Sequence, residues 1–285
     1  MSSPQRDVVV AVLGSGSKGN VTYVGDGLQG ALIDCGLSAR QIGLRLEAVG
    51  LGDAPIDAVL LTHEHGDHVR GARVLDNNLF RRLGRRVPFY STAGTARWMR
   101  TASRPSRLEP VQAGRPVALG PWRAEPCSVS HDTADPVAWT LDLDGFRVGV
   151  YTDLGRPTRL VEHQLASVDI AVLEFNHDVE MLLEGPYPWP LKQRIRSAHG
   201  HLSNDQAAEL LTRVAARSPR LRQVVLAHLS EENNLPERAL SAASRALHSA
   251  GRRDVAVAVA RQEVPIEPVV VAGRPPSPQV GLFDG

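Results

Sequence analysis

The chain has almost no cysteine, almost no lysine and no long apolar run. Cys35 and Cys127 are its only cysteines. They form no CxxC pair and cannot build a disulfide framework, which points to a reducing, cytoplasmic setting. The longest apolar runs, Val8–Leu13 and Val255–Ala260, are far shorter than the ~20 residues of a membrane helix, so no membrane partner is expected. Met1–Asp7 is polar and only a short apolar stretch follows it, so no signal peptide is read there. Lys18 and Lys192 are the only lysines among 32 basic residues, and arginine carries the rest of the positive charge. Genome composition accounts for that bias without any functional role. The net charge of +1 provides no global field for an acidic partner. This excludes a protein that coats DNA by charge alone and leaves room for a local basic surface.

What is present is the composition of an ordinary soluble globular protein: 285 residues, 42% apolar and 22% charged. A chain of this size buries roughly three quarters of its unfolded surface and needs no covalent staples. Apolar blocks of strand length alternate with turn residues. Strands are expected at Val8–Leu13, Ala31–Ile33, Ile56–Leu61, Val87–Ser91, Arg115–Val117, Trp122–Val129, Val137–Leu143 and Phe146–Tyr151, with Asp144-Gly145 as a hairpin turn. Buried late strands are expected at Val168–Glu174, Gln223–Ala227 and Asp254–Val259. Helical periodicity marks Ser38–Val49, Gly94–Met99, Ser203–Arg217 and Pro236–Leu247, and Pro157–Leu165 carries proline at a helix start. Residues 1–262 read as one catalytic domain, and 263–285, with five prolines, as an irregular tail.

The strongest chemical signal is His63-Glu64-His65-Gly66-Asp67-His68, just after the apolar run Ile56–Leu61. Imidazole and carboxylate are the usual ligands of borderline divalent metals. On an extended strand end, residues two apart point the same way, so His63 and His65 can grip one ion. As the chain turns at Gly66, Asp67 and His68 can face a second. A surface histidine cluster is the bland alternative, but four spaced donors directly after a buried strand would be a costly accident. Glu64 and Gly66 read as spacers.

This H-x-H-x-D-H hexad resembles the signature of the metallo-β-lactamase fold. The resemblance implies an α/β, four-layer αββα sandwich with further ligands downstream, and these appear in order in Ser130-His131-Asp132, Thr152-Asp153 and Ala227-His228. It implies one metal set of His63, His65 and His131, a second of Asp67, His68 and His228, and Asp153 between them. Asp34 in Ile33-Asp34-Cys35-Gly36 would support the cluster from behind. The stretches Leu13-Gly14-Ser15-Gly16-Ser17-Lys18-Gly19-Asn20, Asn176-His177-Asp178, Tyr187-Pro188-Trp189-Pro190-Leu191-Lys192 and Gly200-His201-Leu202-Ser203-Asn204 resemble the YycJ/WalJ branch, related in architecture to tRNase Z and the RNase J/CPSF nucleases. That branch implies a metal-dependent phosphodiesterase, with 5′-to-3′ exonuclease activity on nucleic-acid ends.

The chemistry agrees. Two divalent ions, zinc or manganese, can acidify a water and stabilise both oxygens of an in-line phosphoryl displacement. Asp67 or Asp153 would orient that water. His177 and His201 are candidates to contact phosphate or protonate the leaving group; for His177 the alternative is a buried histidine bonded to Asp178 or Glu174. Asn176 or Asn204 would bind a phosphoryl oxygen. The Gly14–Asn20 loop, with Ser15 and Lys18, would cradle an anion, or else form a tight turn beside the site. Leu79–Leu108 holds eight arginines, no acidic residue, and Phe89, Tyr90 and Trp98, a pattern that suits single-stranded DNA or RNA or a merely solvated face. Hydrolysis of a small cyclic phosphodiester or thioester is the enzymatic alternative. A metal-stabilised nucleic-acid-binding or regulatory module is the alternative of another class. A homo-oligomer is compatible with everything above.

Overall fold

The computed structural model describes residues 7–272. Two seven-stranded sheets face each other. The first holds β1 (Asp7–Gly14), β2 (Val21–Gly25), β3 (Gly30–Ile33), β4 (Ala58–Leu60), β5 (Phe89–Thr92) and β6 (Leu108–Val111), with β14 (Val269–Ala272) on the outer edge of β1. The second holds β7 (Val117–Leu119), β8 (Trp122–Ser128), β9 (Val137–Leu143), β10 (Phe146–Tyr151), β11 (Ile170–Glu174), β12 (Gln223–Ala227) and β13 (Ala256–Val259). Each sheet starts as an antiparallel meander and continues parallel, from β3 to β6 and from β10 to β13.

Strand alternation divides the apolar residues into three cores. Ile170 and Val172 of β11 face the other sheet, whereas Ala171 and Leu173 face the helices. Ala58 and Leu60 likewise point between the sheets, while Val59 and Leu61 point outward under helices. Strands covered on both faces are apolar throughout, which is why these runs read as continuous blocks. The outer layers hold α1 (Ala39–Ala48), α2 (Gly66–Val69), α3 (Ala72–Leu83) and α4 (Ala93–Trp98) on one side. On the other lie α5 (Arg159–Leu165), α6 (Val179–Glu184), α7 (Trp189–Ile195), α8 (Asn204–Arg217) and α9 (Pro236–Ser249). The result is the expected αββα sandwich. Ser203 and Gln206 close a reciprocal capping box on α8, and Ser38 caps α1. No helix among the described residues is long and apolar enough to cross a membrane.

Several local expectations are corrected. Pro157 precedes α5, whose cap is Thr158. Gly114 at φ +78° and the Arg115 N–H bond to the Gln112 carbonyl make a turn where β7 was expected to begin. The boundary at residue 262 does not hold: Ile266 N–H donates to the Val12 carbonyl and β14 pairs with β1 from Val269↔Val10 to Ala272↔Asp7. The prolines of this stretch flank the strand and spare its ladder. Residues 273–285 of the expected tail lie outside the described residues.

The sheets are fastened where it matters for the site. The buried Trp139 donates its indole N–H to the Leu61 carbonyl at 3.1 Å, and Val137 N–H reaches the Thr62 carbonyl at 3.0 Å. We expect Trp139→Phe to cost about 1–3 kcal/mol by leaving that carbonyl unpaired, and Trp139→Ala about 3–5 kcal/mol, read from urea unfolding midpoints. Losses under ~1 kcal/mol in both would show that this contact does not join the sheets.

Candidate metal centre

The centre forms at the C-terminal ends of strands from both sheets, the crevice where α/β folds gather their reactive groups. β4 runs out through Thr62, His63 and Glu64; His65 caps α2, whose first turn carries Asp67 and His68. The second sheet contributes His131 beyond β8, Asp153 beyond β10 and His228 beyond β12. Asp34, Asp153 and His228 all take positive φ, 61°, 59° and 56°. For non-glycine residues that conformation is uncommon and strained. Here it turns each side chain inward just past a strand end.

The expected ligands converge. His63 Nε2 and His131 Nε2 lie 3.2 and 3.3 Å from His65 Nδ1. His68 Nε2 and His228 Nε2 lie 3.5 and 3.7 Å from Asp67 Oδ2. Asp153 sits between the two groups: Oδ2 is 3.2 Å from His68 Nε2, and Oδ1 is 3.4 Å from His228 Nε2 and 3.7 Å from His131 Nε2. In each of the sets His63–His65–His131, Asp67–His68–His228 and His63–His68–Asp153, the donor atoms lie within 4.8 Å of one another.

The surroundings fit a cation. Asp153 Oδ2 and His228 Nε2 are buried and make no hydrogen bond, a costly state for protein atoms alone. Burial disfavours charge on His68, but Asp153, Asp34 and Asp67 outweigh it and hold its pKa well above the usual value. His228 is pushed up to about 9 against its burial, chiefly by Asp153 and then by Asp67. Burial also opposes ionisation of Asp153, yet the imidazoles of His228, His68, His63 and His131 keep its pKa well below the usual range. The carboxylates that outweigh burial at His68 and His228 present the same potential to a divalent ion, whereas burial keeps the pKa of His63 and His131 below the usual value. With nitrogen and oxygen donors and no thiolate, the set suits a borderline divalent metal.

Partners behind the ligands set their tautomers. His68 Nδ1 donates to Asp34 Oδ2 at 2.7 Å and His131 Nδ1 to the Gly200 carbonyl at 3.0 Å, leaving each Nε2 to face the centre. His63 Nδ1 meets Thr62 Oγ1 at 2.9 Å, and Thr62 itself donates to Asp34. Asp34 therefore stands where the resemblance implied. Thr62 was not singled out from the sequence, although it directly precedes the hexad.

The remaining candidates separate. His201 borders the centre, 20% exposed, its ring stacked on His228 at 5.2 Å, with Nδ1 bonded to the fully buried Glu174 at 2.7 Å. Glu174 also accepts from Leu154 N–H and Leu202 N–H. The sequence offers it only as a partner of His177; in the fold it serves His201 instead. His177 is 1% exposed, belongs to none of the ligand groups, and its Nδ1 has no hydrogen bond, so neither expected partner is engaged.

The four expected phosphate contacts are engaged within the protein. Asn176 Nδ2 is spent on the His228 carbonyl and ring, at 2.8 and 3.2 Å. Asn204 and Asn234 exchange amide hydrogen bonds at 2.8 and 3.0 Å. Ser15 Oγ accepts from His228 N–H at 2.7 Å. Lys18, 59% exposed, pairs with Glu231 at 2.7 Å and Glu263 at 3.5 Å. The Gly14–Asn20 loop is a tight turn and not an anion cradle: the N–H groups of Ser15, Gly16, Lys18, Gly19 and Asn20 bond Arg261, Asn20, Gln262, Gly16 and Asp67. Asn20 Nδ2 reaches to 3.0 Å from His68 Nε2 and so ties that loop to the cluster. The arginine segment is divided too. Arg85, Arg86 and Arg107 pair with Asp57, Asp76 and Glu109, and Phe89 is core, while Trp98 is 67% exposed.

Residues 31–229 match the family model described as the beta-lactamase superfamily domain. The chain is 34% identical over 232 residues to exodeoxyribonuclease WalJ of Streptococcus pneumoniae serotype 2, covering 80% of this chain and 83% of the relative. It is 32% identical over 244 residues to exodeoxyribonuclease YycJ of Bacillus anthracis, covering 85% and 89%. The metallo-beta-lactamase fold protein YhfI of Bacillus subtilis superposes with a TM-score of 0.66 at 16% identity, over 94% of this chain and all of that one.

Burial lowers the His177 pKa to about 4 from 6.5. Between those values the unfolded chain binds the extra proton. His177 therefore contributes its full stability above pH 6.5 and loses it as pH falls toward 4, by up to about 3 kcal/mol. Comparing urea midpoints at pH 7 and pH 4.5, we expect His177→Gln to lose less stability than the wild type. Equal losses would mean that another group titrates.

Proposed function

Because the chain belongs to the beta-lactamase superfamily, in the branch of the WalJ and YycJ exodeoxyribonucleases, we propose that it is a metal-dependent exodeoxyribonuclease acting from 5′ to 3′ on single-stranded ends with two divalent ions, zinc or manganese. The observation that carries this reading is Asp153 between two three-donor groups, with its Oδ2 and the Nε2 of His228 buried and unbonded. A bound metal pair would supply an acidified water and charge for the phosphoryl oxygens. His63, His65 and His131 would hold one ion, Asp67, His68 and His228 the other, and Asp153 both.

The chain's own residues do the rest. Glu174 fixes His201 through Nδ1, so that Nε2 is the atom turned to substrate. From there it can contact a phosphoryl oxygen or hand a proton to the leaving oxygen. Asp67 and Asp153, kept ionised by the surrounding imidazoles, orient the attacking water. His177 is a packing residue in this reading. The buried, unpaired thiols of Cys35 and Cys127 suit a cytoplasmic enzyme. A module that kept metal only for stability would have no use for the His201–Glu174 pair.

The test is digestion of 5′- and 3′-end-labelled single-stranded DNA and RNA by protein reconstituted with zinc or with manganese, with His65→Ala as the blank. Stepwise loss of DNA from the 5′ end is expected. Asp153→Asn should abolish turnover while far-UV circular dichroism is kept, and His201→Ala should cost roughly 10²–10⁴-fold in kcat. Cleavage of cyclic nucleotides alone would replace the nuclease reading.

A further inference from the structure

Lys18 pairs with Glu231 and Glu263, and a second cation, Arg194, stands beside Asp132 on the rim of the centre. We propose that Arg194 is a phosphate-binding residue, whose guanidinium receives the backbone phosphate adjacent to the one being cleaved. The proposal rests on the reading of the protein as a polynucleotide phosphodiesterase.

Arg194 Nε donates to Asp132 Oδ2 at 2.5 Å, and Asp132 Oδ1 lies 3.4 Å from His131 Nε2 and 4.0 Å from His65 Nε2. One carboxylate therefore separates the guanidinium from two ligand imidazoles, on the open side of the site. The His65 and Asp132 side chains are about one third exposed there, and that of Arg194 is 55% exposed. Asp132 is the main electrostatic partner of Arg194, and the field of Asp67 also reaches it. Asp132 engages Nε alone; among the described residues no hydrogen bond holds the two Nη groups. The free edge of a guanidinium fork matches two phosphate oxygens, which an ammonium does not. Asp132 aims that edge.

The backbone beneath is fixed. The buried Lys192 ammonium clamps the Leu183 and Gly185 carbonyls at 2.6 and 2.7 Å, which anchors α7. Past α7, His201 N–H bonds the Ile195 carbonyl, Ser130 Oγ bonds the Ala198 carbonyl, and Gly200 receives His131. Arg194, His131 and His201 are thus held by one short stretch of chain. A monomeric diester spans only the metal centre, whereas an oligonucleotide also presents its next phosphate to this edge.

Two measurements test the assignment. In an Asp153→Asn background, binding of fluorescein-labelled dT10 is followed by anisotropy from 50 to 200 mM salt. Adding Arg194→Ala should weaken binding about tenfold and lower the salt slope by about one, Arg194→Lys should keep the slope but recover only part of the affinity, and Arg123→Ala on β8 should match the background. In the metal-loaded enzyme, Arg194→Ala should lower kcat/KM for the oligonucleotide at least tenfold more than for bis(p-nitrophenyl) phosphate. Equal losses on both substrates, or unchanged affinity and slope, overturn the assignment. A wild type that turns over the small diester but no oligonucleotide overturns the polynucleotide reading, and the assignment with it.

Discussion

Asp34 ends β3 in a left-handed conformation, fully enclosed, and its carboxylate collects Thr62 N–H, Thr62 Oγ1 and His68 Nδ1 at 2.7–3.1 Å. These contacts join β3 to the end of β4 and to α2, and through Thr62 they reach His63 as well. A buried carboxylate is costly unless its oxygens are all used. Burial raises the Asp34 pKa, so the bonds to His68 and Thr62 are what keep the group useful as a hydrogen-bond acceptor. Its removal would leave two ligand imidazoles without a fixed tautomer and a cavity beneath the metal loop.

The same corner explains how a four-residue helix can carry two candidate ligands. A single turn has no stability of its own, so the position of α2 is imposed from outside. Asn20 N–H holds the Asp67 carbonyl, Cys35 N–H holds the His68 carbonyl, and Gly71 N–H returns to the Cys35 carbonyl. The contact is close enough to dictate a residue: a Cβ at Gly36 would lie 1.5 Å from the Asp67 carbonyl oxygen. Gly36 is therefore needed for the approach of the two segments, and the Asp34-Cys35-Gly36 triplet works as one unit.

What could be read from the sequence divides along a physical line. The hexad, His131, Asp153 and His228 were legible because each follows an apolar strand, and strand periodicity fixes where a side chain at its end will point. Helix α8 was legible because its cap and apolar face are local. The internal partners of Ser15, Lys18, Asn176 and Asn204 were not. A serine or amide beside a metal centre can face solvent or bond its neighbours, and the deciding partners are far along the chain: Ser15 meets His228 and Lys18 N–H meets Gln262. Glu174 shows the converse, an apparent strand residue whose buried carboxylate orients His201. Val269–Ala272 was hidden by its prolines, although an apolar stretch can pair at a sheet edge wherever the prolines fall outside the ladder.

The candidate ligands are drawn from both sheets, and this makes the centre part of the tertiary structure. His63, His65, Asp67 and His68 descend from the first sheet; His131, Asp153 and His228 descend from the second. Between the sheets, below the ligands, stand the apolar core and the Trp139–Leu61 bond. At the top of the sandwich Asp153 Oδ2 and His228 Nε2, one reached from β10 and the other from β12, are buried without a hydrogen bond. A cation held there would link the two sheets directly. Because the unfolded chain offers no preformed site, its binding energy would add to the stability of the packed state. Strain at Asp34, Asp153 and His228 can persist because the packed sheets hold these residues in place.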